Sequence, residues 1–85
     1  MSHNIIIIPA AKRRLAKLSK NIQSKISASI DELATNQRPP GSKKLKSMDA
    51  WRLRVGDYRI IYEIRDNAAL VLIIKTAHRS EVYKK

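Results

Sequence analysis

From Trp51 to Val55 apolar and cationic residues alternate, Trp-Arg-Leu-Arg-Val, and only Gly56-Asp57 separates this run from Tyr58-Arg-Ile-Ile-Tyr-Glu-Ile-Arg65. A period of two is the repeat of a half-buried strand, because successive side chains leave a pleated backbone on opposite faces. Two such runs across a Gly-Asp pair predict a hairpin. The phase sets Trp51, Leu53 and Val55 towards a core and Arg52 and Arg54 away from it, so two arginines share one face of one strand. Asp66-Asn67 closes the second run and a third strand over 68–75 completes a meander.

The first half reads differently. Asn4 to Pro9 holds four consecutive isoleucines, which suits a short buried strand, since β-branched side chains lose little freedom on a pleated surface. Pro9 ends that strand and fits the first turn of a helix running to Leu18. Ala11, Leu15 and Leu18 fall on one stripe, while Lys12, Arg13, Lys17 and Lys20 spread over the remainder. After a break at Ser19 to Asn21, Ile22, Ile26, Ile30 and Leu33 recur at helical spacing to about Ala34. The Pro-Pro-Gly at 39–41 cannot continue a helix, and a basic loop with Lys43, Lys44 and Lys46 follows. A lone strand, a two-helix hairpin and then an antiparallel three-strand meander predict one α+β domain over residues 1–85. One sheet forms, with the helices on one of its faces. The other face is left open, and its outward positions are rich in arginine.

Eighteen Lys and Arg against seven Asp and Glu leave a net charge of +11, a large self-repulsion for a small domain that points to a polyanionic partner. Mixed-sign charge would keep the surface soluble at less cost. Nucleic acid is favoured over a membrane surface, because no stretch is basic on one face and rich in Trp, Phe or Leu on the other. The run Ile5 to Pro9 is far short of the roughly 20 apolar residues of a membrane span. The absence of cysteine removes disulfides and Cys-based zinc sites and fits a reducing cytoplasm. No metal-ligand spacing, no paired carboxylate set and no Ser-His-Asp set commends itself.

The run Trp51-Arg-Leu-Arg-Val-Gly-Asp-Tyr-Arg-Ile-Ile-Tyr62, followed after a strand by Ala77-His-Arg-Ser-Glu-Val-Tyr83, resembles the C-terminal half of the RelE branch of the RelE/ParE toxin superfamily. The preceding strand and helix pair match the family order. The resemblance implies the toxin of a type II toxin–antitoxin system, held inactive in a hetero-oligomer with a cognate antitoxin. It further implies an endoribonuclease that uses neither metal nor cofactor, an mRNA interferase that acts in the ribosomal A site among ribosomal RNA. There the message's own 2′-hydroxyl attacks the adjacent phosphate, leaving a 2′,3′-cyclic end and stopping translation. On this resemblance Arg59 stands beside the scissile phosphate, and Tyr83 stacks on a base or assists proton transfer. Arg79 lies in the basic segment before that tyrosine. The chain departs from well-known members in carrying Arg52 and Arg54 where those have lysines. Arginine keeps its proton, with a pKa above about 12, so these two are assigned to phosphate binding and the general base is left open.

The residues themselves meet the three needs of such a cleavage unequally. Charge stabilisation of the phosphorane is well supplied by Arg52, Arg54, Arg59 and Arg79, with Lys43, Lys44 and Lys46 as further phosphate contacts. Arg65 reads as a solvated sheet arginine, and Arg54 fits that role and phosphate binding equally. Tyr83 serves as a base only if neighbouring cations depress a pKa near 10, and is otherwise an aromatic packed at the last strand. His78 titrates unaided near neutrality and is a candidate acid or base, although a lone histidine is more often structural. Trp51 fits core packing better than base stacking. Glu63 and Glu81 fit salt bridges to strand arginines. So thin an acid–base set implies that the ribosome supplies orientation. Two rivals stand beside this reading. One is a gyrase inhibitor of the ParE branch, which shares the fold; the other is a non-catalytic RNA-binding module.

Overall fold

The computed structural model describes residues 2–78. Strand β1 spans Asn4–Ile7, helix α1 Pro9–Ala16 and helix α2 Lys20–Glu32. Strands β2 (Ser42–Lys44), β3 (Trp51–Val55), β4 (Tyr58–Arg65) and β5 (Leu70–His78) follow, with a 3-10 turn at Asp66–Ala68. The sheet has five strands in the order β1-β5-β4-β3-β2. β1 runs parallel to β5 and every other pair is antiparallel. The α+β class and the meander match expectation. Other features differ: residues 42–44 form a strand and not a loop, β1 is an edge strand instead of a buried one, α1 ends at Ala16 short of Leu18, α2 begins at Lys20 inside the expected break, and the last strand spans Leu70–His78 and not 68–75.

Local chemistry accounts for the helix ends. Pro9 occupies the first position of α1, where its missing N–H would have no partner in any case. The Ser19 hydroxyl caps α2 by accepting from the Ile22 amide at 3.4 Å. Gln23 Nε2 donates to the carbonyls of Ala16 at 3.1 Å and Leu18 at 2.8 Å, which the end of α1 leaves unbonded. Gln37 Nε2 does the same for Leu33 and Ala34 after α2, at 2.9 and 3.0 Å. Each helix end is thus closed by one glutamine amide.

The helices cover one sheet face. Ala11, Ile26, Ile30 and Leu33 meet Leu53, Ile60, Tyr62, Val71 and Ile73 in a buried cluster, with Ile5, Ile7, Leu15, Leu18, Ile22 and Trp51 packed around it. Registry keeps the phase consistent: Leu53 pairs with Ile60 and Trp51 with Tyr62, Tyr62 with Ile73 and Ile64 with Val71. A bulge interrupts β5, since Ile61 pairs with Lys75 but Tyr62 with Ile73, leaving Ile74 extra. One inserted residue reverses which parity points inward. Ile73 and Thr76, three apart, are therefore both buried on the helix side. Ile5 and Ile7 point to the core while Ile6 is 47% exposed on the opposite face, because an edge strand covered by helices on one side alternates. At the β3–β4 turn Gly56 takes φ +59°, a conformation that glycine adopts without a Cβ penalty.

Candidate nucleic-acid interface

The face away from the helices carries the cations that the alternation assigned to it. Lys43 pairs with Arg52, Arg52 with Ile61 and Ile61 with Lys75, one rung crossing four strands. On the next rung Arg54 pairs with Arg59 and Arg59 with Ala77. Neighbouring strands lie about 4.8 Å apart, so Lys43 and Lys75 are separated by roughly 14 Å of backbone. Arg52 and Arg54, two residues apart on β3, are offset by roughly 7 Å along the strand. Like charges directly opposite one another destabilise a sheet by up to about 1 kcal/mol, and the Arg54–Arg59 pair is such a placement.

Exposure divides the set. Lys43, Arg54 and Lys75 are exposed, and Arg52 is half-buried, with its Nε buried and lacking a hydrogen-bond partner. A guanidinium N–H held in a partly dry setting without an acceptor is a donor suited to an incoming oxyanion. Arg59 lies on the expected face but is only 3% exposed, and Ala77 beside it 1%. Arg59 already has an interaction of its own. The expectation of an open face therefore holds along the Lys43–Arg52–Lys75 rung and at Arg54, and not at Arg59. The carboxylate on this face, Glu63, accepts from Arg65 Nε at 3.1 Å and from Nη2, so Arg65 is paired as well as exposed. That bond raises the Arg65 pKa above its ordinary value.

Other candidates fall elsewhere. Lys44 pairs in register with Trp51, which puts it in the opposite phase from Lys43, and its Nζ lies 3.3 Å from Asp49. Lys46 is exposed in the loop after β2. His78 pairs with Tyr58 and sits edge-on to its ring, centroids 5.1 Å apart. It lines a cleft on the helix side with Arg14 and Lys17, so the structure does not bring His78 together with Arg52, Arg54 and Arg59. The bulge at Ile74 is the cause. Arg79, Glu81 and Tyr83 lie outside the described residues. Lys75 went unnoticed in the sequence, because an unbroken alternation in β5 gives no sign of where the phase slips.

Two aromatics resolve into structural roles. Tyr62 is fully buried and donates its hydroxyl to the Gln37 carbonyl at 2.9 Å. Burial raises its pKa, against smaller opposing effects from Ser42 and Arg38, so it is no base at neutral pH. Trp51 packs against the core with the Arg38 guanidinium over its ring at 5.2 Å, a cation–π contact. Arg38 also reaches Asp66 at 3.2 Å, and His3 Nε2 lies 3.1 Å from the other oxygen of that carboxylate. These partners, His3 foremost, lower the Asp66 pKa.

Comparison with known proteins agrees with this architecture. Residues 5–83 match the model of the ParE toxin of the parDE type II toxin–antitoxin system. The archaeal RelE–RelB complex of Pyrococcus horikoshii OT3 contains a chain 26% identical at a TM-score of 0.84, covering 93% of this chain and 97% of that one. A free-state mutant of the E. coli toxin RelE is 25% identical at a TM-score of 0.77, with coverage of 98% and 92%. The fold recurs in the RelBE2 complex of Mycobacterium tuberculosis at 24% identity and a TM-score of 0.83, covering 93% of this chain and all of that one. A search of curated proteins returns no match. The chain belongs to the ParE toxin family of type II toxin–antitoxin systems, within the RelE/ParE superfamily.

Proposed function

We propose that this toxin is a ribosome-dependent endoribonuclease that cleaves messenger RNA in the A site. The observation that carries this reading is the cationic rung of Lys43, Arg52 and Lys75 with Arg54 beside it. In it the Arg52 Nε is buried without an acceptor. In the reaction the 2′-oxygen forms a bond to the adjacent phosphorus, the P–O5′ bond breaks, the 2′-hydroxyl proton leaves to a base, and the departing 5′-oxygen gains a proton. Negative charge gathers on the non-bridging oxygens of the phosphorane. The planar forks of Arg52 and Arg54 bind those oxygens more strongly as that charge develops, which is the differential binding that lowers a barrier.

Arginine is no base at neutral pH, and Tyr62 and His78 are removed from the face by burial and by phase. Arg79 and Tyr83 keep the roles that the family resemblance gives them, and Arg59 acts once its present interaction is exchanged for phosphate. With so few proton-transfer groups, the ribosome contributes by orienting the message for in-line attack. The partner that silences the toxin is a cognate antitoxin of acidic character. Its seats are the helix faces and the outer edge of β1, unpaired among the described residues, where Ile6 is exposed. Both proteins act in the cytoplasm.

The match to a ParE family model supports a second reading, inhibition of DNA gyrase. Primer extension on message from a translation reaction tests the first. Breaks within A-site codons that require ribosomes, and that diminish by at least tenfold in an Arg54→Ala variant and in an Arg59→Ala, Tyr83→Ala double variant, are expected. Intact message together with inhibited supercoiling by gyrase would replace the nuclease reading with the second.

A further inference from the structure

On the helix side of the sheet, at the end where β4 begins and β5 finishes, a cleft of about 280 Å³ is lined by Arg14, Lys17, Leu18, Tyr58, Thr76 and His78. The strand phase separates it from the cationic rung described above. Thr76 is 3% exposed, and its Oγ1 is buried with no hydrogen-bond partner. A buried hydroxyl left without a partner is costly and uncommon. Here Thr76 lines the cleft together with the ammonium-bearing Lys17, its hydroxyl lying just behind the surface. Arg14 and His78 have interactions of their own, so Lys17 and Thr76 are the groups with capacity to spare.

We propose that this cleft is an oxyanion subsite that holds one phosphate group, with Lys17 as counter-charge and the Thr76 hydroxyl as a directional donor. Three observations favour phosphate. At roughly 30 Å³ per water, the volume exceeds that of several waters and accommodates a tetrahedral oxyanion. The C-terminal carbonyls of α1 would ordinarily repel an anion at this end, but Gln23 Nε2 occupies those of Ala16 and Leu18. Finally, the cleft adjoins the RNA-facing side: Tyr58 lines it, while Arg59, the next residue, pairs with Arg54 on the opposite face. A strand passing round the end of β4 therefore meets cations on both faces of the sheet. The phosphate comes from an RNA backbone or from free phosphate, and the RNA source rests on the proposed function whereas the oxyanion site does not.

The test is an NMR titration of the full chain with inorganic phosphate and, separately, with an RNA pentanucleotide. It is repeated for Thr76→Val, which keeps the β-branched shape, and for Lys17→Gln. Saturable shifts at Thr76 and Tyr58 are expected, with binding at least fivefold weaker in each variant. The melting temperature of Thr76→Val should equal or exceed that of the wild type, since the substitution removes an unpartnered hydroxyl. Saturation by RNA alone assigns the site to a backbone phosphodiester, and saturation by phosphate alone to the free anion. Absence of saturable shifts with both probes, unchanged affinity in the two variants, or equal saturation by acetate would overturn the proposal. The readout is binding, so a wild-type protein that fails to cut message would sink the nuclease reading and leave this one intact.

Discussion

Replacing Arg54 by alanine removes one exposed cation from the sheet face without touching the core, and the salt dependence of RNA binding should register the loss of a single phosphate contact. Among the described residues, Lys43, Arg52, Arg54 and Lys75 are the cations on that face with capacity for phosphate, Arg59 being already engaged. A pentanucleotide offers four phosphodiesters. At about 0.7 counterions released per phosphate of a single strand, log K should fall against log salt with a slope of about −2.8, and about −2.1 in the variant. Between 50 and 200 mM salt the affinity then drops roughly 50-fold for the wild type and roughly 20-fold for Arg54→Ala. Fluorescence anisotropy of labelled RNA at four salt concentrations measures the slope, with Lys12→Ala on α1 as control. An unchanged slope in Arg54→Ala, or an equal decrease in Lys12→Ala, would refute a localised sheet-face site.

Three further outcomes are expected. Ile26→Ala empties a fully buried position between α2 and the sheet and should cost about 3 kcal/mol in urea unfolding. Tyr62→Phe deletes the donor to the Gln37 carbonyl and should cost about 1 kcal/mol, seen as a lower Tm with no change in RNA binding. The Asp66 carboxyl has its pKa lowered in the fold by His3 and Arg38. A depressed pKa stabilises the fold above the unfolded value near 4 and ceases to do so as pH falls through the folded value. The Tm of the wild type should therefore exceed that of Asp66→Asn at pH 6, and the difference should vanish as pH falls through the lowered folded value.

Periodicity made most of this fold legible. Ala11 and Leu15, then Ile26 and Ile30, occupy the helix stripes that their spacing specified, Leu18 and Leu33 pack on the core just past the helix ends, and Leu53 and Arg54 occupy opposite faces as the alternation required. The misses share a cause, in that each depends on partners distant in sequence. β2 has the sequence Ser-Lys-Lys, which has no apolar alternation and is held by backbone pairing to β3. Lysine is common on such edges, where it discourages further pairing. The run of isoleucines in β1 does not reveal that helices cover it on one side only. The extra residue in β5 is invisible locally, yet it moves His78 and Thr76 to the helix side and Lys75 to the other. The position of Arg59 on the cationic face was readable from the phase of β4, but its near-complete burial was not.

The order of the strands has a consequence for synthesis. β5 lies between β1 and β4 and contributes Val71 and Ile73 to the core, so the first strand made has no neighbour until one of the last has emerged. Pairings of such long sequence separation close late, after most of the loop entropy has been spent. A nascent chain ending before Leu70 leaves β1 without the strand it pairs with, so the five-stranded sheet is incomplete. Under the proposed activity, a toxin that cuts its own message upstream of the β5 codons yields a chain without Lys75 and without the strand that joins β1 to the rest of the sheet. The parallel pairing of β1 with β5 thereby ties completion of the sheet to the synthesis of β5.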